Sequence, residues 1–299
     1  MNANELFDRL LQSLDNKFNF LEDKPEETLD STLRALWFAA YGIQKSVQEA
    51  VKSKLPELSE QQVAILQGLI EHRLNNTPLA HITGRQSFMD IELLSDKRAL
   101  IPRKETEILG QKALDLSLNI ALEKNQIKVI DVCCGAGNLG LALAYYNSNA
   151  VVYATDLSNE AVDLTQDNIK FIELSDRVYA FQGDLFEAFE KEEYYKKIDL
   201  IVCNPPYISS AKVQKMTSEI SENEPLLAFD GGMLGTKIIL KLISEAPKFL
   251  KKAGWLIFEI GLGQGQFILQ LCERSDFYDK VESVSDVSGN IRVILARKQ

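Results

Sequence analysis

From Ile127 onward the chain repeats one pattern: a short run rich in β-branched residues, a small or polar turn, then a helical stretch. The runs cover 127–131 ("IKVID"), 150–156 ("AVVYATD"), 177–183 ("RVYAFQG"), 198–204 ("IDLIVCN"), 255–261 ("WLIFEIG"), 280–286 and 291–297, with helical stretches at 159–173, 236–252 and 264–273. Parallel neighbours need a long crossover, usually a helix. The alternation therefore restricts this region to an open, mostly parallel α/β sheet covered on both faces. The last two runs lie too close together for a helix between them, which predicts an antiparallel pair at one edge. In such a sheet the ligand crevice lies beyond the carboxyl ends of the strands, where their order reverses. The residues that follow each run are the ones to read for chemistry.

The amino-terminal part has a different rhythm. Leu6, Phe7, Leu10, Leu11 and Leu14 share one helical face, as do Leu33, Leu36, Trp37 and Ala40, and Gly42 marks a stop. Ser59 followed by Gln62 predicts a capping box ahead of Val63, Leu66, Leu69 and Ile70. Residues 1–76 are expected to form a small helical bundle. Residues 77–104, punctuated by Gly84, Asp90 and Asp96, read as a hairpin-like connector. A helix from about 105 to 122 opens the sheet domain, 105–299. A chain of 299 residues, 45% hydrophobic, can fill both cores.

Composition narrows the function classes. The start lacks a basic region followed by an apolar run, and no window approaches the roughly 18 apolar residues of a membrane span; a cytoplasmic protein without a membrane partner is expected. Cys133, Cys134, Cys203 and Cys272 show no C-x-x-C spacing and there are only two histidines, so no metal site and no disulfide framework is expected. A net charge of -10 disfavours affinity gained by neutralising phosphates, and no direct nucleic-acid partner is expected. Lys248, Lys251 and Lys252 fall at the expected end of the 236–252 helix, where cations complement the dipole.

Two turns carry ligand chemistry. In "VIDVCCGAGNLGLALA" (129–144) a strand runs through small residues into a helix; Gly135 and Gly137 let a ligand approach the backbone, and a helix start presents free N–H groups. Asp156, ending the next run, can accept hydrogen bonds from both hydroxyls of a ribose, or can cap the helix that follows. Asp131 can touch ligand or orient the loop. Both NAD and S-adenosylmethionine suit this pair of turns. The full G-x-G-x-x-G is absent, and the shorter turn beside Asp131 suits the cofactor that has no pyrophosphate to cradle.

The run 198–204 ends in Asn204-Pro205-Pro206-Tyr207. Asn204 projects an amide into the expected crevice, while the prolines fix φ and remove two backbone donors, leaving carbonyls. A substrate NH₂ group can donate one hydrogen to the Asn204 side-chain oxygen and another to the Pro205 carbonyl, with Tyr207 against its flat face. Such a clamp suits methyl transfer to an amide or exocyclic amine, whose delocalised lone pair is a poor nucleophile and needs positioning.

These pieces sit in a chain that resembles the release-factor glutamine N5-methyltransferases, the HemK/PrmC family. The likeness covers most of its length: "PLAHITGRQSF", "LIPRKETE", "DVCCGAG", "ATDLS", "GDLF", "CNPPYI", "NEPLLAFDGG", "FEIGLGQG" and "SDVSGNIRV". It implies a Rossmann-like S-adenosylmethionine-dependent fold of seven strands. It also implies methyl transfer to the glutamine amide in the Gly-Gly-Gln loop of peptide chain release factors, with the helical bundle helping to dock that partner. Base-amine methylation of the adenine N6 type, in DNA or RNA, is the alternative that the same clamp can serve. Carried onto this chain, the likeness makes Asp131, Cys133, Cys134, Gly135, Ala136, Gly137, Asp156, Leu157, Asp184, Leu185 and Asn204 the cofactor contacts. Asn204, Pro205 and Tyr207 become the catalytic residues, and Asn204 to Tyr207 the substrate clamp. Three positions depart from the family pattern. Cys133 stands where the turn usually opens with glycine, which a small side chain tolerates if φ is negative; Lys104 replaces a usual proline, and Leu234 a frequent aspartate.

Overall fold

A computed structural model describes residues 2–299, which fall into two compact units. The first comprises the chain up to Lys97, together with Ile101–Lys104 and Thr217–Glu224. Its helices begin where the sequence supplies caps: Asn2 with Glu5 opens Ala3–Leu14, Thr28 with Ser31 opens Leu29–Tyr41, and Ser59 with Gln62 opens Glu60–Leu74. Gly42, at φ 99°, ends the second of these by closing its last carbonyls. Phe7, Leu33, Leu36, Trp37 and Leu66 fill the core, with the Phe7 and Trp37 rings edge-on at 5.8 Å.

The stretch expected as a separate connector lies largely in this unit. Strands β1 (Arg85–Phe88) and β2 (Ile91–Leu94) pair antiparallel through a turn at Met89 and Asp90, both at positive φ. Gln86 bonds the Glu26 carboxylate and the Pro102 carbonyl, which ties the hairpin to the bundle. A second difference is Thr217–Glu224, expected in the sheet domain and found here. Glu219 accepts from Lys24 Nζ at 3.3 Å and Arg73 Nη1 at 3.1 Å, and Glu224 accepts from Arg103 Nη2 at 2.6 Å. All five side chains are buried. A buried charge left unpaired is costly, and partners this distant in sequence leave no local trace.

The second unit holds Arg98–Leu100, Glu105–Met216 and Pro225–Gln299. Its strands are β3 (Ile127–Val132), β4 (Ala150–Asp156), β5 (Val178–Gln182), β6 (Ile198–Cys203), β7 (Leu250–Glu259), β8 (Tyr278–Ser285) and β9 (Ile291–Lys298), in the order β5-β4-β3-β6-β7-β9-β8. β3 to β7 pair in parallel, and β9 runs antiparallel to both β7 and β8, giving the Rossmann-like, mostly parallel sheet with an antiparallel edge. β6 is buried along its whole length, as a strand covered on both faces must be. The order reverses between β3 and β6, so the crevice lies beyond Val132 and Cys203.

The helix expected over 236–252 is Lys237–Phe249, and β7 follows without a break. Leu250 pairs with Ile198 before an irregularity resets the register at Leu200 and Trp255. Lys251 and Lys252 are therefore strand residues rather than helix-end cations. Lys251 pairs with Asp199 at 3.0 Å, and Lys248, in the last helical turn, pairs with Glu190. Among the described residues no helix is long and apolar enough to cross a membrane.

Candidate active site

The turn after β3 is built from below by the helix Asn159–Phe171. Thr165 Oγ1 donates to the Gly135 carbonyl at 2.8 Å, and Asn168 Nδ2 donates to the Ala136 carbonyl at 3.0 Å. Gly137, at φ 82°, caps the helix Asn138–Tyr146; a Cβ there would lie 2.8 Å from Thr165 Cγ2. A Cβ on Gly135, by contrast, would meet open space, so that glycine faces the crevice. Cys133 has φ 57°, against the negative φ that would suit a side chain. Cys134 is buried, its sulfur 3.6 Å from Thr165 Oγ1, and burial pushes its thiol well up. That sulfur is an inert part of the turn's foundation.

The two acids divide the roles that the sequence leaves open. Asp131 is fully buried and accepts from the Gly140 amide at 2.8 Å, so it orients the turn and the helix start; loss of solvation pushes its carboxyl up to about 7. Its Oδ1 has no protein partner. Asp156 accepts from the Gly135 amide at 2.9 Å and the Ser158 amide at 2.9 Å. The helix cap is Ser158, which accepts from the Ala161 amide, so capping is not the task of Asp156. Each Asp156 oxygen keeps a lone pair for a further donor. Leu157 is exposed beside it. Asp184 is engaged by Lys241 Nζ at 2.6 Å, and the Leu185 side chain is buried in the core under the sheet.

At the end of β6, Asn204 Nδ2 donates to Thr106 Oγ1 at 3.1 Å, and its Oδ1 is shielded from solvent without a hydrogen-bond partner. A buried acceptor left unsatisfied is uncommon and asks for a reason. Tyr207 is fixed at both ends. Its carbonyl accepts from Gln264 Nε2 at 3.0 Å, and its hydroxyl donates to Glu259 Oε1 at 2.9 Å. Gly235, at φ 71°, makes room for that carbonyl, which a Cβ would approach to 2.2 Å. Burial, then the Glu259 and Glu105 charges, push the Tyr207 hydroxyl well up, so it stays protonated and remains a donor.

Behind the clamp lies a charged group that motif reading did not single out. Glu259, the last residue of β7, is fully buried; Arg292 Nη2 stands 2.9 Å from Glu105 Oε2 and 3.5 Å from Glu259 Oε1. Burial, then the Glu105 charge, push the Glu259 carboxyl up to about 7, opposed by hydrogen bonding to Thr106 and Tyr207 and by the Arg292 charge. Glu105, Thr106, Glu259, Gln264 and Arg292 come from "LIPRKETE", "FEIGLGQG" and "SDVSGNIRV". Those stretches carry the family likeness, but no spacing in them points to a site at Tyr207.

Residues 110–235 match the family model "Methyltransferase small domain". A "Release factor glutamine methyltransferase" of Thermodesulfovibrio yellowstonii is 30% identical over 288 residues, 96% of this chain and 96% of that protein. One of the same name from Clostridium botulinum is 34% identical over 230 residues, 77% and 79% of the two chains. Among solved structures, the catalytic domain of hMettl16 in complex with the MAT2A 3'UTR hairpin 6 aligns at a TM-score of 0.51 with 15% identity, over 68% of this chain and 74% of that one. At that identity the likeness speaks for the fold alone.

Proposed function

Because this chain belongs to the release factor glutamine methyltransferase family, we propose that its crevice beyond β3, β4 and β6 seats the side-chain amide of the Gly-Gly-Gln glutamine on Asn204 for methylation at N5. The chain is an S-adenosylmethionine-dependent methyltransferase that acts on a release factor glutamine. Docking of the release factor is assigned to the helical unit. Four unbridged cysteines suit a reducing cytoplasm as the place of action.

The residues present fit the cofactor. Gly135 leaves room above the turn, and Asp156 has acceptor capacity for two ribose hydroxyls. Cys133 to Gly137, Asp156, Leu157 and the backbone at Asp184 and Leu185 would hold it. Bound there, S-adenosylmethionine supplies an electrophilic methyl group on a positively charged sulfur.

The protein's own contribution is position. Asn204 Oδ1 and the Pro205 carbonyl accept the two amide hydrogens and aim the nitrogen, while Tyr207 walls the amide plane. As the nitrogen becomes tetrahedral and partly positive, its hydrogens bind those acceptors more tightly than before, so the transition state gains more than the ground state. Once the methyl has arrived the nitrogen is cationic and strongly acidic, so its proton passes to water and no strong base is required.

The observation that carries this reading is the unpartnered Asn204 Oδ1. Purified release factor incubated with the enzyme and methyl-labelled cofactor should yield label on the Gly-Gly-Gln peptide; an unlabelled peptide would sink the substrate assignment. Asn204→Ala should lower kcat by roughly a hundredfold, the scale of one lost transition-state hydrogen bond, while calorimetry shows cofactor binding nearly unchanged.

A further inference from the structure

Asn204 has a polarity problem. Its amide presents an oxygen and an NH₂ group of nearly the same shape, and only one orientation leaves the oxygen for an incoming N–H. Something behind the residue has to choose. Its neighbour Thr106 is buried, with a hydroxyl that can accept from the amide or donate to it. Here the hydroxyl accepts from Nδ2 at 3.1 Å, so its single proton points elsewhere. Glu259 faces Thr106 with a carboxylate that, when ionised, can only accept. The same carboxylate takes the Tyr207 hydroxyl at 2.9 Å, with Arg292 at 3.5 Å. Its Oε2 is buried and has no hydrogen-bond partner, an acceptor left open beside the Thr106 hydroxyl.

We infer that Glu259 is a positioning residue for methyl transfer: as a buried acceptor it draws the Thr106 and Tyr207 hydroxyl protons toward itself, which turns the Asn204 oxygen to the substrate and fixes the Tyr207 ring. Arg292, held between Glu105 and Glu259, keeps two carboxylates tolerable side by side. Glu259 acts through Thr106 and Tyr207 rather than on the reacting atoms. The inference rests on the reading that Asn204 receives the substrate amide, and it names what orients that amide.

Glu259→Gln is nearly isosteric, so packing is kept, but it replaces an acceptor by a donor and lets Thr106 point back at Asn204. Its kcat on purified release factor should fall at least about tenfold, the scale of a misdirected buried hydrogen bond, with KM for S-adenosylmethionine within about twofold. Thr106→Val cuts the same chain of bonds from the other side and serves if Glu259→Gln folds poorly; the double variant should be no slower than the slower single one. The groups facing Glu259 are Glu105, Thr106, Tyr207 and Arg292. Wild type should therefore lose turnover as pH falls through the neutral range, and Glu259→Gln should lack that limb. A second readout needs no release factor. In protein labelled with nitrogen-15 at asparagine side chains, the Asn204 NH₂ resonances, assigned by Asn204→Asp, should move in Glu259→Gln. Unmoved resonances, or wild-type kcat in both variants, would overturn the inference. Moved resonances in an enzyme that labels no release factor would uphold it while refuting the substrate assignment.

Discussion

Cys133 holds a backbone conformation that L side chains resist. At φ 57° its Cβ crowds the following carbonyl, at a cost of about 1–2 kcal/mol. Cys133→Gly removes that cost and adds the larger unfolded-state entropy of glycine, which offsets part of it. The net expectation is a rise in Tm of about 1–3 °C by scanning calorimetry; a fall would show that the thiol's contact with the sheet core outweighs the strain. At this scale the sequence is informative where a residue's own chemistry is unusual. Two prolines after a buried strand, or an acid ending the next one, mark themselves. Glu259 does not, because a glutamate near a strand end is ordinary until its partners are known. Its bond from Tyr207 spans 52 positions, and the Tyr207 contact with Glu105 spans 102.

Elements were legible where one local rule decides them. The capping box at Ser59 and the parallel runs read directly, since cap and alternation lie within a few residues; those at Asn2 and Thr28 obey the same local rule. The start of β7 did not read directly, because its pairing with Ile198 pulls Leu250 out of the preceding helix. Thr217–Glu224 is the other case: a short segment placed by charge. Glu219 is the shared partner of Lys24 and Arg73, and all three are buried. Glu219→Ala leaves Lys24 without this carboxylate and Arg73 with Glu27 as its carboxylate and the Asn19 carbonyl. Removing one partner from a buried pair costs about 3–5 kcal/mol. Denaturant unfolding followed by Trp37, the tryptophan of the helical core, should shift to a clearly lower midpoint; an unchanged midpoint would mean that the pair is hydrated in solution.

For the whole molecule, two buried carboxyls of the sheet unit, both raised to about neutral, set activity and stability against each other. Asp131 and Glu259 each bind a proton more tightly folded, at about 7, than at their ordinary values of 3.8 and 4.5. Between those limits the folded state carries more protons than the unfolded one, so stability falls as pH rises and levels off above about 7. His81, whose imidazole burial pushes down, lies in the helical unit rather than the sheet unit. Asp199, whose carboxyl is held low by Lys124, the Lys128 amide and Lys251, changes its contribution only in more acid solution. Turnover has the opposite demand, since Glu259 orients the clamp only as a carboxylate. In a Trp37→Phe background, Trp255 should report a higher Tm at about pH 6 than at about pH 8, while kcat rises over the same interval. Glu259→Gln should flatten both slopes, leaving the smaller stability slope of Asp131 and of Asp156, whose carboxyl burial also pushes up. Parallel slopes of Tm and kcat in the wild type would show that one carboxyl does not govern both.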